Sequence, residues 1–157
     1  MLCGFYPRSR SSSAKKNKTE KASKKHLPLP TGRYTVGSLD IITEYGLEGV
    51  FFRLYFPTNS ADILQRESEW PLWLPDKKYG KGYVYFRRCN TYVYGKVFNF
   101  FGGDTHSPVL WHSAPIQGSH KFPVLLFSHG LGGNRTTCAT LGAEIASHGF
   151  IVASIEH

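Results

Sequence analysis

No stretch of this 157-residue sequence approaches the roughly 18 consecutive apolar residues that a membrane-spanning helix requires. The first ten residues, MLCGFYPRSR, contain no apolar run long enough for the core of a secretory signal peptide, and they do not begin Met-Gly as N-myristoylation requires. Only three cysteines are present, and Cys3, Cys89 and Cys138 match neither a disulfide framework nor zinc-ligand spacing. These absences predict a cytoplasmic protein with no metal site and no other cofactor.

The positive charge of the chain is concentrated at one end. Residues 1–30 contain eight Lys and Arg against a single acid, Glu20, whereas residues 31–157 contain eleven basic and ten acidic side chains. The sequence therefore predicts a disordered basic tail over 1–30 and one nearly neutral folded domain over 31–157. Nucleic acid is not expected as a partner, because the folded part has almost no basic excess. The tail is interpreted as a solvated leader, with attraction to anionic lipid and nuclear import as alternatives.

The first regular elements of the domain are two strands. SLDIITEY (38–45) and VFFRLYFP (50–57) are rich in β-branched and aromatic residues, and a glycine-flanked turn at 46–49 separates them. Two such segments around a short turn predict an antiparallel hairpin.

Residues 91–101 predict an aromatic-rich helix, with a strand as the alternative because β-branched and aromatic residues suit both structures. On a helix, apolar side chains at spacings of three and four fall on one face, and here they are Val93, Val97, Phe100 and Phe101, with Tyr94 and Phe98 beside them. A stripe of this kind more often packs in a core than contacts a membrane.

The last third of the chain has the pattern of a βαβ unit. FPVLLFSH (122–129) is apolar on both faces, as in a central strand of a parallel sheet. FIVASIEH (150–157) is a second strand of this buried type. Between them, 135–149 predicts an amphipathic helix ended by Gly149, with an apolar face of Cys138, Leu141, Ile145 and Ala146. The pattern predicts an α/β fold.

The loop after the first of these strands reads His-Gly-Leu-Gly-Gly. Ligands of open α/β sheets bind at the carboxyl ends of strands, and His-Gly-x-Gly-Gly in that place is typical of the oxyanion loop of α/β-hydrolases. Gly130, Gly132 and Gly133 let the backbone aim its amides at a negatively charged oxygen, and the amide of Leu131 is the predicted donor. His129 is interpreted as a hydrogen-bonding residue that shapes the loop. The alternatives are a plain turn and a phosphate-binding loop, which the following arginine supports only slightly.

A further absence limits the catalytic assignment. A serine hydrolase of this fold requires Gly-x-Ser-x-Gly, and no serine or cysteine here has a glycine two residues before it. His157 is a poor candidate for the catalytic base, because that histidine follows the nucleophile and the acid in this fold. The chain is therefore expected to be an N-terminal fragment, a truncated isoform or an incomplete gene model that is inactive alone.

Several segments resemble successive stretches of the platelet-activating factor acetylhydrolases: GRYTVGSLDII, FFRLYFP, PLWLP, FPVLLFSHGLGG and IASHGFIVASIEH. The resemblance covers residues 31–157 in order and with similar spacing. It implies the N-terminal portion of an α/β-hydrolase fold with an incomplete sheet, made of a strand hairpin, an aromatic-rich helical insertion and a βαβ unit. It also implies a calcium-independent serine phospholipase A2 of lipid catabolism, more similar to the intracellular members than to the secreted ones.

By this resemblance, the parent enzyme would hydrolyse the sn-2 acetyl or short acyl ester of platelet-activating-factor-like phospholipids with a serine beyond this chain. The amide of Leu131 would be one oxyanion donor. The segment 91–101 would match the helix with which the family docks peripherally on lipid surfaces. With this resemblance, contact with lipid and packing in the core are equally supported hypotheses for the segment. The residues assigned to docking are Tyr92, Val93, Phe98 and Phe101. The family commonly has Ala-Phe-Arg where this chain has Gly-Asn-Arg at 133–135, which reshapes the loop but keeps the donor position.

Two other hypotheses stand beside this one. The parent could be another α/β-hydrolase, such as a lipase or carboxylesterase, or the chain could be a non-catalytic isoform. If the sheet stops with this chain, the strand at 150–155 is expected to form a bare apolar edge. Such an edge predicts a protein that is insoluble, molten or dependent on a partner.

Overall fold

The computed structural model describes four stretches of the chain, residues 23–46, 48–59, 62–118 and 121–157. Most of the predicted basic tail lies outside them. Its last residues pair with the domain, because the backbone N–H of Leu27 donates to the carbonyl of His106 at 2.9 Å and that of His106 donates to Lys25 at 2.8 Å. The folded part therefore includes residues that precede the predicted boundary at residue 31.

The described residues form a mixed sheet with helices beside it. The elements are β1 (Thr35–Ile42), β2 (Phe51–Thr58), a 3-10 segment (Ile63–Glu69), α1 (Lys77–Phe86), α2 (Thr91–Gly102), β3 (Leu110–Trp111), β4 (Val124–Ser128), α3 (Ala139–Ser147) and β5 (Ile151–Glu156). The strand order is β3-β1-β2-β5-β4. The β1–β2 and β2–β5 pairs are antiparallel, whereas β1–β3 and β4–β5 are parallel. The predicted hairpin and βαβ unit are both confirmed.

The first strand lies three residues earlier than predicted, because residues after Ile42 leave the ladder to build the hairpin loop. The backbone N–H of Thr43 donates to Val50 at 3.1 Å, and the hydroxyl of Thr43 accepts from the N–H of Val50 at 2.9 Å. Tyr45, which the sequence pattern places in the strand, lies in this loop and is almost fully exposed.

The core lies between the sheet and α3. Its buried members come from β1, β2, β5, α3 and the segment before β3, and they are Val36, Tyr55, Val109, Ala139, Ala143, Ala146 and Val152. Helix α3 approaches the sheet closely at Gly142, where a Cβ would lie 2.8 Å from the ring of Tyr55. The residues of α3 that face the sheet are small for this reason.

The buried face of α3 agrees with the predicted one in part. Ala146 is buried and Ile145 packs against the core as predicted, whereas Leu141 is exposed and the smaller residues Ala139 and Ala143 also face the core. The helix also begins at Ala139 rather than at residue 135, because residues 134–137 form a separate hydrogen-bonded turn. Gly149, with φ +97°, ends the helix as predicted.

The last two strands exchange their predicted places, so that the expected edge strand is internal and the expected central strand lies at the edge. Strand β5 is not a bare edge, because it pairs with β2 on one side and with β4 on the other. Strand β4, predicted to be central, forms the edge of the described sheet, and Val124 and Leu126 are 65% and 71% exposed. The prediction failed because β2 supplies an antiparallel partner for β5, a pairing that the hydrophobic pattern of either strand leaves open.

Helices α1 and α2 pack against each other beside the sheet. Helix α2 confirms the helix predicted over 91–101, and Asn90 caps it by accepting from the N–H groups of Tyr92 and Val93. Its apolar stripe is not core, since the side chains of Val93, Val97, Phe100 and Phe101 are all exposed.

Candidate active site

The glycine-rich loop after β4 is a tight turn. The N–H of Gly133 donates to the carbonyl of Gly130 at 2.9 Å, which makes Leu131 and Gly132 the central residues. Of these two, only Gly132 has a positive φ, +78°, as a type II turn requires at that position. A Cβ on Gly132 would also lie 2.8 Å from the ring of Phe86 in α1. The turn therefore requires glycine for its backbone angle and for its contact with α1.

Leu131 lies at the tip of this turn, and the residue is 92% exposed. Within the part of the chain that the structure describes, the amide of Leu131 has no hydrogen-bond acceptor. An amide held in a defined turn without an internal acceptor is available to a negatively charged oxygen.

His129 is bonded to the loop. Its Nδ1 lies 3.0 Å from the carbonyl of Gly130, and because a carbonyl only accepts, Nδ1 carries the proton. The ring is buried and stacks on His157 with 4.0 Å between centroids, and its Nε2 has no partner among the described residues. The role of His129 in shaping the loop stays a prediction.

Hydrogen bonds of polar side chains connect residues 134–137, which follow the loop, to α1. The side-chain oxygen of Asn134 accepts from the N–H and the hydroxyl of Thr136, both at 2.8 Å, and its amide donates to the hydroxyl of Tyr83 at 2.8 Å. That hydroxyl lies 2.5 Å from Thr137, and burial raises the pKa of Tyr83. The indole N–H of Trp73 donates to the carbonyl of Thr136 at 2.8 Å. The loop and α1 are thus held together by hydrogen bonds as well as by packing.

Arg135 holds the loop to the sheet. Its guanidinium donates to Asp40 of β1 at 2.9 Å, to Glu156 of β5 at 2.7 Å and to the hydroxyl of Tyr79 in α1 at 2.6 Å. The side chain is 5% exposed and lies over the ring of Phe51 at 4.0 Å. Burial opposes the charged form, but these hydrogen bonds raise the pKa of Arg135 above its ordinary value. Because its donors are used internally, Arg135 gives no support to the phosphate-binding alternative.

Asp40 joins two buried arginines. It accepts from Arg53 through both oxygens, at 2.6 and 2.9 Å, and from Arg135 through one of them. Burial alone would raise the pKa of Asp40, but hydrogen bonds and charge from both arginines lower it below the ordinary value of 3.8. The ionised carboxylate is therefore part of the structure that holds the loop.

This pKa shift predicts acid sensitivity. A carboxyl whose pKa is lowered by folding adds stability above its unfolded value of 3.8, and that stability is lost as pH falls through the lower folded-state value. We expect the free energy of unfolding, measured by urea titration from neutral pH downward, to decrease in this range. The Asp40→Asn variant should have a shallower pH dependence there, and an equal dependence in both proteins would contradict the assignment.

An apolar groove of about 940 Å³ lies between α1, α2 and the glycine-rich loop. Leu131 and Gly132 are its lining residues from the loop, and Phe98 of α2 lines it at 5.5 Å from the ring of Tyr83. Its other apolar lining residues include Leu27, Trp73, Val84, Phe86, Val97 and Phe101. A groove of this size and lining suits a long hydrocarbon chain.

The four residues predicted to dock on lipid have two different environments. Tyr92, Val93 and Phe101 are 71%, 51% and 66% exposed, whereas Phe98 is half-buried in the groove. None belongs to the buried core cluster.

Sequence reasoning missed α1 and the charged residues behind the loop. Helix α1 carries Tyr79, Tyr83 and Phe86, each of which contacts the loop segment. The only sequence signal for α1 was Asp76, which accepts from the N–H of Lys78 as a helix N-cap. Asp40 and Glu156 carried no signal, because they lie 95 and 21 residues from Arg135.

The part of the chain that the structure describes contains neither a cluster of metal ligands nor a membrane-spanning helix. No group of three or more metal-ligating side chains occurs in the described ranges. Of the helices that the structure describes, none is long and apolar enough to cross a bilayer.

Comparison with known proteins gives consistent matches. A family model described as platelet-activating factor acetylhydrolase, isoform II, matches residues 19–157. The platelet-activating factor acetylhydrolase of Canis lupus familiaris is 39% identical over 131 residues, and that of Bos taurus 38%, each over 83% of this chain. A putative phospholipase A2 of Schizosaccharomyces pombe is 30% identical over 156 residues. The chain spans 28% of the length of the two mammalian relatives and 33% of the yeast one.

A solved structure shares the fold. A ferulic acid esterase from Streptomyces cinnamoneus aligns with a TM-score of 0.56 over 85% of this chain and 36% of the esterase, at 17% identity. Together with the mixed sheet and its helices, this likeness confirms the predicted α/β-hydrolase type of fold.

Proposed function

Since the chain belongs to the platelet-activating factor acetylhydrolase family, isoform II, we propose that it supplies the oxyanion side of an esterase site for phospholipids with a short sn-2 acyl group. The observation that carries the proposal is the amide of Leu131, which has no acceptor among the described residues and belongs to a type II turn that lines an apolar groove. The 157 residues contain no Gly-x-Ser-x-Gly, so we assign the nucleophile to a serine outside them.

In the proposed reaction, the serine oxygen attacks the carbonyl carbon of the sn-2 ester and loses its proton to a base. The carbonyl oxygen becomes negative, and the N–H of Leu131 donates to it without having to reorganise. Collapse of the intermediate breaks the ester bond, and the base gives its proton to the leaving oxygen, so that the lysophospholipid departs as an alcohol. Water then hydrolyses the acyl-enzyme. The apolar groove would hold the hydrocarbon chain at sn-1, which supports a lipid substrate over a small soluble ester.

The proposal is tested with a chimera in which residues 19–157 replace the matched segment of the canine relative. We expect this chimera to release acetate from a 1-alkyl-2-acetyl phosphocholine, and a fluorophosphonate probe to label it at a serine outside this segment. The 157-residue chain alone is expected to show neither activity nor labelling. A chimera that folds and cleaves p-nitrophenyl acetate but not the phospholipid would favour the general carboxylesterase hypothesis. Labelling of a serine within the chain would show that the nucleophile is misplaced.

We also propose that α2 contacts a lipid surface, because Tyr92, Val93 and Phe101 expose apolar side chains beside the groove. A cytoplasmic protein would meet such a surface peripherally. The sequence has only three widely separated cysteines, which form no disulfide framework, and this supports the reducing setting that the cytoplasm provides.

The double substitution Tyr92→Glu and Val93→Glu is expected to weaken binding to phosphatidylcholine vesicles with little change in melting temperature, because both side chains are exposed. Vesicle sedimentation and a thermal melt measure the two quantities. Tyr45→Glu with Val50→Glu is the matched control, because it changes the same residue types at exposed positions of the β1–β2 hairpin. A large drop in melting temperature with unchanged vesicle binding would reject the contact.

A further inference from the structure

The charge of the folded part is strongly polarised. We define the helical hairpin as residues 77–103, which comprise α1, α2 and their connection. The hairpin contains no Asp or Glu, whereas the rest of residues 31–157 contains five basic and ten acidic side chains. The hairpin has six cations, Lys77, Lys78, Lys81, Arg87, Arg88 and Lys96. The near-zero net charge of residues 31–157 hides this polarisation.

All six cations of the hairpin are exposed. Among the ion pairs of the described residues, none includes any of them. The ammonium of Lys96 donates to the hydroxyl of Tyr92 at 3.0 Å and lies 4.1 Å from the centre of that ring. The positive charge of the hairpin is therefore not neutralised within the domain.

The cations lie next to exposed aromatic rings. Lys81 and Lys96 share a concavity with Tyr92 and Phe100, and Lys77 lines the same concavity. Elsewhere on the hairpin, Arg88 adjoins Tyr85 and Phe86, and Arg87 lines the groove with Tyr94 and Phe101. Alternation of cations with aromatic and aliphatic side chains on one unit is typical of surfaces that lie in a membrane interface.

We propose that the helical hairpin is a docking surface for bilayers that carry anionic phospholipid. Its cations would contact lipid phosphates and anionic headgroups, while its exposed apolar side chains enter the interface. The inference rests on the lipid contact proposed above and adds to it the charge of the partner. A bilayer fits better than a nucleic acid because Val93 and Val97 are exposed too, and because residues of the hairpin line the apolar groove together with Leu131. A lipid held at the hairpin would therefore be next to the groove.

The test measures partition of the full 157-residue chain onto vesicles of phosphatidylcholine alone and of phosphatidylcholine mixed equally with phosphatidylserine. We expect tighter binding to the mixed vesicles, with the difference lost at high salt. Lys77→Gln with Lys78→Gln should weaken binding to mixed vesicles by about fivefold per charge, hence roughly 25-fold, and leave binding to neutral vesicles nearly unchanged, because neither residue lines the apolar groove. Near-UV circular dichroism checks the fold of each variant, and Lys81→Gln with Arg88→Gln provides a second pair.

Arg33→Gln with Lys121→Gln is the matched control, because it removes two exposed cations outside the hairpin and keeps the basic tail. An equal loss in this control would overturn the inference in favour of net charge. Equal binding of the unchanged chain to both kinds of vesicle would overturn it while leaving the apolar contact of the proposed function intact. Absence of binding to either kind would refute both proposals. Tight binding to a single-stranded oligonucleotide but not to vesicles would identify a nucleic-acid surface instead.

Discussion

Replacing Leu131 by proline in the chimera is expected to lower kcat by about 10²- to 10³-fold, the range for loss of one oxyanion donor. Proline has no backbone N–H, so the substitution removes the proposed donor. The turn itself accommodates proline, because Leu131 occupies the first central position of a type II turn, where proline is common. The preceding residue, Gly130, tolerates the extended backbone that proline favours, and a Cβ there would meet no atom within 4 Å.

Leu131→Ala is the matched control for this prediction. It keeps the amide and removes a side chain that is almost fully exposed, so its kcat should stay close to that of the unchanged chimera. Hydrolysis of a soluble ester, followed at saturating concentration, measures kcat for the three proteins. Equal losses in both variants would contradict a role for the backbone donor, and so would full activity of the proline variant.

The second large effect is expected at Arg135. Arg135→Gln should lower the free energy of unfolding by about 3 kcal/mol, because it removes the cation that pairs two carboxylates behind the loop. Glu156 would lose its only ion-pair partner among the described residues, whereas Asp40 would keep Arg53. The effect is largest at neutral pH, where both carboxylates are ionised. Urea unfolding of the chain at neutral pH measures it.

Arg66→Gln provides the comparison for Arg135, since Arg66 pairs with Glu69 on the surface. Solvent screens that pair, so its loss should have a much smaller effect on the free energy of unfolding. Similar losses at both positions would mean that burial of the network around Arg135 contributes nothing to stability. The Arg135→Lys variant should be more stable than Arg135→Gln but less stable than the unchanged chain. A lysine keeps the positive charge, but it cannot reproduce the three directions in which the guanidinium donates.

The edge strand β4 can affect measurements of unfolding and binding on the isolated chain, because it can promote association between chains. The exposed Val124 and Leu126 belong to a strand that pairs on one side only within the described sheet. Edges of this kind favour pairing with other chains. The expected tendency to associate therefore persists, but its origin moves from residues 150–155 to β4.

Much of the site could be predicted because its signals are local. The strand before the loop, the small residues after it and Gly149 at the end of α3 all belong to one continuous segment, residues 124–149. Backbone conformation there depends on neighbours in sequence, and Gly132 adopts a positive φ that glycine alone takes without cost. The position of Leu131, the helix over 91–101 and the βαβ unit were therefore determined by the sequence alone.

What only the tertiary structure decided depends on contacts between distant segments. The order of β5 and β4, the small-residue face of α3 and the exposure of the aromatic stripe on α2 follow from which surfaces meet. The same holds for Arg135, whose carboxylate partners lie in β1 and β5. A hydrophobic or charged pattern states which side chains require a partner, but it does not identify that partner. That choice is made when the packed chain brings the segments together, because burial and pairing energies arise only between surfaces in contact.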